Sequence, residues 1–180
     1  MSTVRVYRSE AIQLTVDFTR WTPDAVVKAH GEDPDKRHEV INPSGVFQAR
    51  AWQYEGEALT GKRVMRLRLF AFSDQLVPVA QAAELLSAEH YVFASPQLVE
   101  AFRLRFPASA VAEPHTIMFL GGQWQRVQFK KHDYAEGGSH IGPYLVREII
   151  GLRACGPYYG LEAIAFPEHV SQYHWVAGIY

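Results

Sequence analysis

Alternating apolar and polar positions predict β-strands over much of this chain. The first stretches with a period of two are Val4–Tyr7 and Ile12–Val16, both rich in β-branched residues. The clearest strand is Val64–Phe72, in which every second residue is apolar. Its other face begins with Arg66 and Arg68 and ends in phenylalanine. We therefore expect that face to be exposed to solvent at one end and buried by the rest of the protein at the other.

The remaining strand patterns lie in the middle and at the carboxyl end of the sequence. They are Val46–Tyr54, Tyr91–Ala94, Thr116–Leu120, Gln123–Lys130, Leu161–Phe166 and Tyr173–Tyr180. Gly121-Gly122 separates two of these runs, which predicts a β-hairpin with a two-residue turn. The polar, glycine- and proline-bearing segments 30–44 and 135–143 are predicted loops.

Three segments have the pattern or the caps of helices: Thr22–Ala29, Ser73–Ala88 and Gln97–Phe106. In the first, Thr22 is a suitable N-cap and is followed by proline. The second begins either at Ser73, a good cap, or near Val77, where Pro78 fits the first turn. Tyr144–Ile150 fits a helix or a buried strand, and we favour the helix.

The order of these elements predicts an α+β fold, because strands and helices mix without a regular βαβ rhythm. We expect a single globular domain over residues 1–180. It would be a mostly antiparallel sheet with about three helices packed on one side. There is no internal repeat or heptad run, and the two predicted loops are short enough to lie within one domain.

Composition and charge narrow the class of protein further. The 180 residues are 48% hydrophobic and 21% charged, values typical of globular domains. The formal net charge of −1 argues against a dedicated nucleic-acid or membrane-surface protein. The single cysteine excludes an intrachain disulfide. The first ten residues lack a secretory signal and no apolar run could span a bilayer, so we expect a cytoplasmic protein without a membrane partner.

Aromatic residues and glycines concentrate in the last quarter of the chain. Residues 134–180 hold six of the nine tyrosines and seven of the thirteen glycines, but no lysine. Tyrosine and tryptophan combine apolar area with a polar tip and often anchor interfaces. The same composition also describes a core with tight turns. The candidate binding residues in this region are Tyr144, Tyr158, Tyr159, Tyr173 and Trp175.

Basic residues form local clusters on the predicted strands. If Arg66 and Arg68 lie on a strand adjacent to that of Arg126 and face the same way, they form a positive stripe. Trp124 would then add a ring beside these cations, and the stripe could hold an acidic protein or stack nucleic-acid bases. The plainer alternative is a solvated sheet face balanced by glutamates.

A catalytic constellation is harder to find. Cys155 precedes Gly156-Pro157, which marks a turn and not the helix start that would activate a thiolate. An enzyme site would combine His140 or His169 as general base, Arg147 or Arg153 for an anionic group, and Tyr158 or Tyr159 as a hydrogen-bond donor. Its substrate would be anionic or nucleotide-like. The spacing of these residues matches no established catalytic motif.

The histidines do not match a metal motif. No histidine pair has the i, i+4 spacing with a glutamate that marks a zinc protease helix. His132, Asp133 and His140, on neighbouring ends of a predicted loop, form the one ligand set worth considering. We therefore expect neither a metal nor a cofactor.

Taken together, the sequence favours a small protein-binding module of the inhibitor, immunity or adaptor type. It would dock a partner through the aromatic carboxyl-terminal region and the arginine-bearing strands. An enzyme with a site around 132–140 and 153–159 is the alternative, and nucleic-acid binding is third. The identity of the partner and the oligomeric state do not follow from the sequence.

Overall fold

A computed structural model of the protein describes residues 4–29, 39–42, 45–48, 53–73, 76–106, 116–133, 139–155 and 158–180. Within the strands, side chains are not described at 39–48, 126–144, 155, 158 and 163. These residues form fourteen strands, three short α-helices and one 3₁₀ turn. The fold is therefore dominated by β-structure, and the expected α+β balance is wrong.

The strands, in chain order, are β1 Val6–Arg8, β2 Ile12–Asp17, β3 Glu39–Asn42, β4 Gly45–Gln48, β5 Gln53–Glu55, β6 Lys62–Phe72, β7 Leu76–Pro78, β8 Val92–Phe93, β9 Thr116–Met118, β10 Gln123–Asp133, β11 Ser139–Cys155, β12 Tyr158–Ala165, β13 His169–Ser171 and β14 His174–Ile179. The helices are α1 Pro23–Ala29, α2 Val79–Ser87 and α3 Val99–Arg105, and the 3₁₀ turn is Pro96–Leu98.

Ten of the strands form one large sheet, whose central order is β1-β6-β14-β9-β11-β10-β5. Strands β1 and β2 pair with successive parts of β6. In addition, β8 pairs with β14, and β12 pairs with β11. Every pairing is antiparallel except that of β14 with β9, which makes the sheet mixed. Two further pairs, β7–β13 and β3–β4, form small separate sheets.

Helices cover both faces of the large sheet, not one face as the sequence suggested. On one face, Phe102 of α3 belongs to the same buried cluster as Leu69 of β6. On the other, Leu86 of α2 is buried with Phe70 of β6. Neighbouring residues of a strand point to opposite faces, so these two clusters lie on either side of β6. Helix α1 completes the core over a third cluster around Trp124.

Several local predictions are confirmed. In β6, Arg66 is exposed while Phe70 and Phe72 are buried, so its second face is wet at one end and covered at the other. Helix α1 begins at the predicted cap, where Thr22 Oγ1 accepts a hydrogen bond from the Ala25 N–H at 3.2 Å. Helix α2 takes the later of its two expected starts, directly after Pro78.

The helix favoured over Tyr144–Ile150 is wrong, because these residues belong to the seventeen-residue strand β11. Residues Ile149 and Ile150 are both buried, although they point to opposite faces. A strand covered on both faces shows a continuous apolar run with no period of two, which is easily mistaken for helix.

The hairpin predicted around Gly121-Gly122 is also wrong. Strands β9 and β10 do not pair with each other; both pair with β11, along the edge opposite β12. The Gly121 N–H donates to the Ala94 carbonyl at 2.9 Å, and a Cβ on Gly122 would overlap the ring of Tyr54. These glycines permit close approach of other segments and do not form a hairpin turn.

The hairpin that does form joins β10 to β11, with its last described register pair at Asp133 and Ser139. The expected loop over 135–143 is therefore strand from Ser139 onward, and 135–138 lie outside the described residues. In the expected loop over 30–44, Glu39–Asn42 form β3. The other residues of that segment, 30–38, 43 and 44, lie outside the described residues.

Candidate functional site

An open groove with aromatic walls lies at one end of β6. Tyr7 of β1 and Trp175 of β14 stand on the two strands that flank β6, which supplies the floor. The groove has a volume of about 410 Å³ and is lined by Tyr7, Ala71, Phe72, Ser73, Gln172 and Trp175. Two rings with a hydroxyl and an amide between them can hold an apolar group and fix its orientation by hydrogen bonds.

Exposed apolar side chains belong to this groove or to residues close to its lining in sequence and strand register. Tyr7 is 54% exposed and Tyr173, next to the groove residue Gln172, is 58% exposed. Leu76 is 64% exposed and stands opposite Ser171 in the β7–β13 pair, one residue from Gln172. Clusters of exposed rings and aliphatic groups of this kind mark interaction sites more often than isolated ones do.

Backbone contacts fix the polar side of the groove. The Arg5 N–H donates to Ser73 Oγ, and the Ser73 N–H donates to the Arg5 carbonyl, both at 2.9 Å. Arg5 itself is exposed, which places a cation beside the groove. The neighbouring Arg8 is engaged with Glu89, and its hydrogen bonds lower the pKa of that carboxyl group.

The structure separates the aromatic residues that the sequence grouped together. Trp175 lines the groove and Tyr173 follows the groove residue Gln172, whereas the ring of Tyr159 lies 6.0 Å from that of Phe102 under α3. Trp124 is 2% exposed and packs against α1 and the ring of Tyr54. Tyr144 of β11 stands opposite Gln128 of β10, and Tyr158 of β12 stands opposite Cys155 of β11. The side chains of these two tyrosines are not among the described side chains.

Sequence reasoning missed Tyr7, although a signal was present. In the alternating run Val4–Tyr7, the tyrosine shares the polar face with Arg5. A ring on the outward face of a strand is a candidate contact residue.

The strands that would carry the expected positive stripe are not adjacent. Arg66 and Arg68 lie on β6 and Arg126 on β10; β14 lies between β6 and β9, and β10 follows β9 along the same edge of β11. Arg66 is exposed, whereas the Arg68 guanidinium lies 5.6 Å from the centre of the Tyr91 ring. That cation–π contact ties Arg68 to the protein's own surface.

The candidate enzyme residues are not brought to one place. In the β11–β12 pair Arg153 stands opposite Gly160 and Ala154 opposite Tyr159, so Arg153 and Tyr159 point to opposite faces. Arg153 Nη1 lies 3.8 Å from Glu162 Oε1. His140 precedes Arg153 by thirteen positions on the same strand, roughly 40 Å in extended backbone. Cys155 is the last residue of β11.

Comparisons with protein-family models, curated proteins and solved structures find no match for this chain. Among the described side chains, no group of three histidine, cysteine, aspartate or glutamate residues could hold a metal ion. Within the same part of the chain, no helix is long and apolar enough to cross a membrane.

Tyr159 gives a prediction about stability at alkaline pH. Burial raises the pKa of its phenol to about 12, above the value near 10 of a tyrosine in an unfolded chain. The resulting stabilisation is present below pH ~10 and is lost as the pH rises through ~12. When the pH is raised from ~8 to ~11, the free energy of unfolding should fall further in the wild type than in Tyr159→Phe, because phenylalanine does not titrate. The difference between the two falls should be up to about 1 kcal/mol, after allowance for the partial exposure of Tyr159. Urea unfolding at both pH values measures this, and equal losses in the two proteins would contradict it.

Proposed function

We propose that the protein is a binding module that docks a partner protein through the aromatic groove at the end of β6. The observation that supports this proposal is the pairing of Tyr7 and Trp175 across an open concavity of about 410 Å³. Tyrosine and tryptophan are the side chains that most often dominate the binding energy of interfaces. The inhibitor, immunity and adaptor types of protein all fit such a surface.

The chemistry of the groove indicates what the partner presents. The two rings suit an apolar or aromatic side chain, and Ser73 and Gln172 suit the polar backbone on either side of it. The exposed Arg5 suits an acidic residue flanking that anchor. We therefore propose a partner segment with an apolar anchor next to a carboxylate.

The position of the groove on the sheet favours binding without a large rearrangement. Tyr7, Ala71 and Trp175 lie on three adjacent strands held by backbone pairing. Side chains fixed on strands lose little further conformational freedom on binding, so more of the contact energy appears as affinity.

Replacement of the exposed ring Tyr7 by alanine tests the proposal. The partner is first captured on the immobilised protein and identified, and its affinity is then measured by calorimetry. We expect Tyr7→Ala to weaken binding at least about 30-fold, which corresponds to the ~2 kcal/mol of an interface hot spot. Tyr173→Ala is measured in parallel, because Tyr173 is exposed and adjacent in sequence to the groove residue Gln172.

The matched control is Val64→Ala, since Val64 is 61% exposed and lies on the opposite face of β6 from Ala71. It is expected to bind the partner as the wild type does. Thermal unfolding of each variant shows whether it is folded. A folded Tyr7→Ala protein that keeps the wild-type affinity would place the docking surface elsewhere.

A further inference from the structure

Strand β2 forms an edge of the large sheet. Among the described strands it pairs with β6 alone, over the six residues Ile12–Asp17. An open edge can pair with another chain, and natural proteins often prevent this with proline or lysine on the edge strand. Strand β2 contains neither residue.

The register shows which backbone groups of β2 point away from β6. The Phe18 N–H donates to the Gly61 carbonyl at 2.9 Å, directly beyond the last pair of β2. Backbone groups of successive residues point to opposite sides of a strand, so the even-numbered residues of β2 bond to β6 and Gln13 and Thr15 point outward. Both outward residues are exposed, and their N–H and C=O groups have no backbone partner among the described residues. They are available to a further strand.

A cleft lies beside this edge, between β2 and α3. The β2–α3 cleft has a volume of about 330 Å³ and is lined by residues 14–17 of β2, by Trp21 and by Ala101, Leu104 and Arg105 of α3. Leu104 is 73% exposed, and Trp21 is only partly buried. Every second side chain of a strand added to β2 would turn toward α3 and meet these apolar groups.

Cations outnumber carboxylates around the cleft. Lys62 Nζ lies 3.9 Å from Asp17 Oδ2. The pKa of Asp17 is lowered first by hydrogen bonding from Thr19 and further by the charges of Lys62 and Arg20. Arg105 is exposed and forms no ion pair with any described residue. Three cations thus surround one carboxylate, which favours an acidic partner.

We propose that the β2–α3 cleft binds an extended acidic peptide segment of another protein, which adds to β2 as a further strand. Backbone hydrogen bonds to Gln13 and Thr15 align the segment, and its apolar side chains at alternate positions pack on Leu104 and Trp21. A carboxylate of the segment lies beside Arg105. A second copy of this chain is a poorer occupant, because it brings the same excess of cations.

This site is separate from the aromatic groove at the end of β6, since no residue lines both. The proposal therefore does not rest on the partner proposed for that groove. Variants at Leu104 and Arg105 test the cleft, whereas Tyr7→Ala tests the groove.

The experiment selects random phage-displayed peptides of about twelve residues, long enough to pair with all of β2, on the immobilised protein. We expect the enriched sequences to alternate apolar and polar residues and to contain aspartate or glutamate. The most enriched peptide is synthesised with a fluorescent label, and its affinity is measured by anisotropy. Leu104→Ala and Arg105→Glu are each expected to weaken binding at least about tenfold.

Thr15→Pro tests strand addition itself. It removes an outward N–H and leaves the hydrogen bonds from β2 to β6 in place, as proline on an edge strand can. We expect it to weaken peptide binding at least about tenfold. Thermal unfolding shows whether each variant is folded. Leu145→Ala is the matched control for Leu104→Ala, because Leu145 is 51% exposed on β11 and should not affect the peptide.

A second measurement needs no protein variant. Two forms of the peptide are N-methylated at alternate residues, one at the odd and the other at the even positions. Only alternate residues of an added strand bond to β2, so one form should lose binding and the other should keep it. Equal affinity of the two forms, undiminished binding to folded Thr15→Pro, or a selection that enriches no peptide would overturn the proposal. A wild-type dimer in ultracentrifugation that Thr15→Pro abolishes would instead assign the edge to a second copy.

Discussion

Replacing Phe102 by alanine is expected to lower the free energy of unfolding by about 3–5 kcal/mol. Phe102 is fully buried under α3 and contacts the rings of Phe106, Phe119 and Tyr159 at centroid distances of 5.0, 5.9 and 6.0 Å. Its loss removes apolar area from the core and leaves a cavity that the surrounding strands can fill only partly. Urea unfolding followed by circular dichroism measures the change.

The matched control lies on the same helix. Leu104 is 73% exposed, so Leu104→Ala is expected to change the unfolding free energy by less than about 0.5 kcal/mol. A similar loss in both variants would mean that α3 is destabilised as a helix. A small loss in Phe102→Ala would mean that α3 does not cover the sheet.

Gly121→Ala is the second substitution with a large expected effect. A Cβ at this position would lie 2.5 Å from the Phe93 carbonyl oxygen and 2.8 Å from the Ala94 carbonyl carbon. Both are backbone atoms held by strand pairing and cannot turn away as a side chain could. We expect a loss of about 3 kcal/mol or more, at the upper end of the cost of overpacking. Chemical unfolding of the two proteins gives this difference.

Gly160→Ala is the corresponding control. Gly160 also lies in the large sheet, but a Cβ there meets no atom within 4 Å. This variant is expected to be as stable as the wild type or slightly more stable, since alanine restricts the unfolded chain. If Gly121→Ala were equally harmless, the close approach to Ala94 would not exist in solution.

The sequence predicts single elements of this protein better than their arrangement. Alternation along β6 and the Thr22 cap are properties of a few neighbouring residues, and both appear in the structure. Gly121-Gly122 resembles a hairpin turn because glycine serves both in turns and where backbones approach closely. The second role depends on Ala94 and Tyr54, which are distant in sequence, and no local pattern reveals them.

The same limit applies to the candidate site. Tyr173 is exposed and Trp175 lines the groove, whereas Trp124, which the local pattern does not distinguish from them, is covered by α1. Burial depends on which elements cover a strand. The grouping of His132, Asp133 and His140 likewise depends on register: His132 stands opposite His140, and Asp133 stands opposite Ser139.

The position of β14 has a consequence for synthesis of the protein. This strand, made of residues 174–179, joins β6 to β9 in the middle of the sheet. The ribosome synthesises it after every other described strand. Until then, β6 with its neighbours β1 and β2 is not linked to the part of the sheet that contains β9 to β12. The large sheet is therefore expected to stay in two unlinked parts during synthesis until β14 has left the exit tunnel.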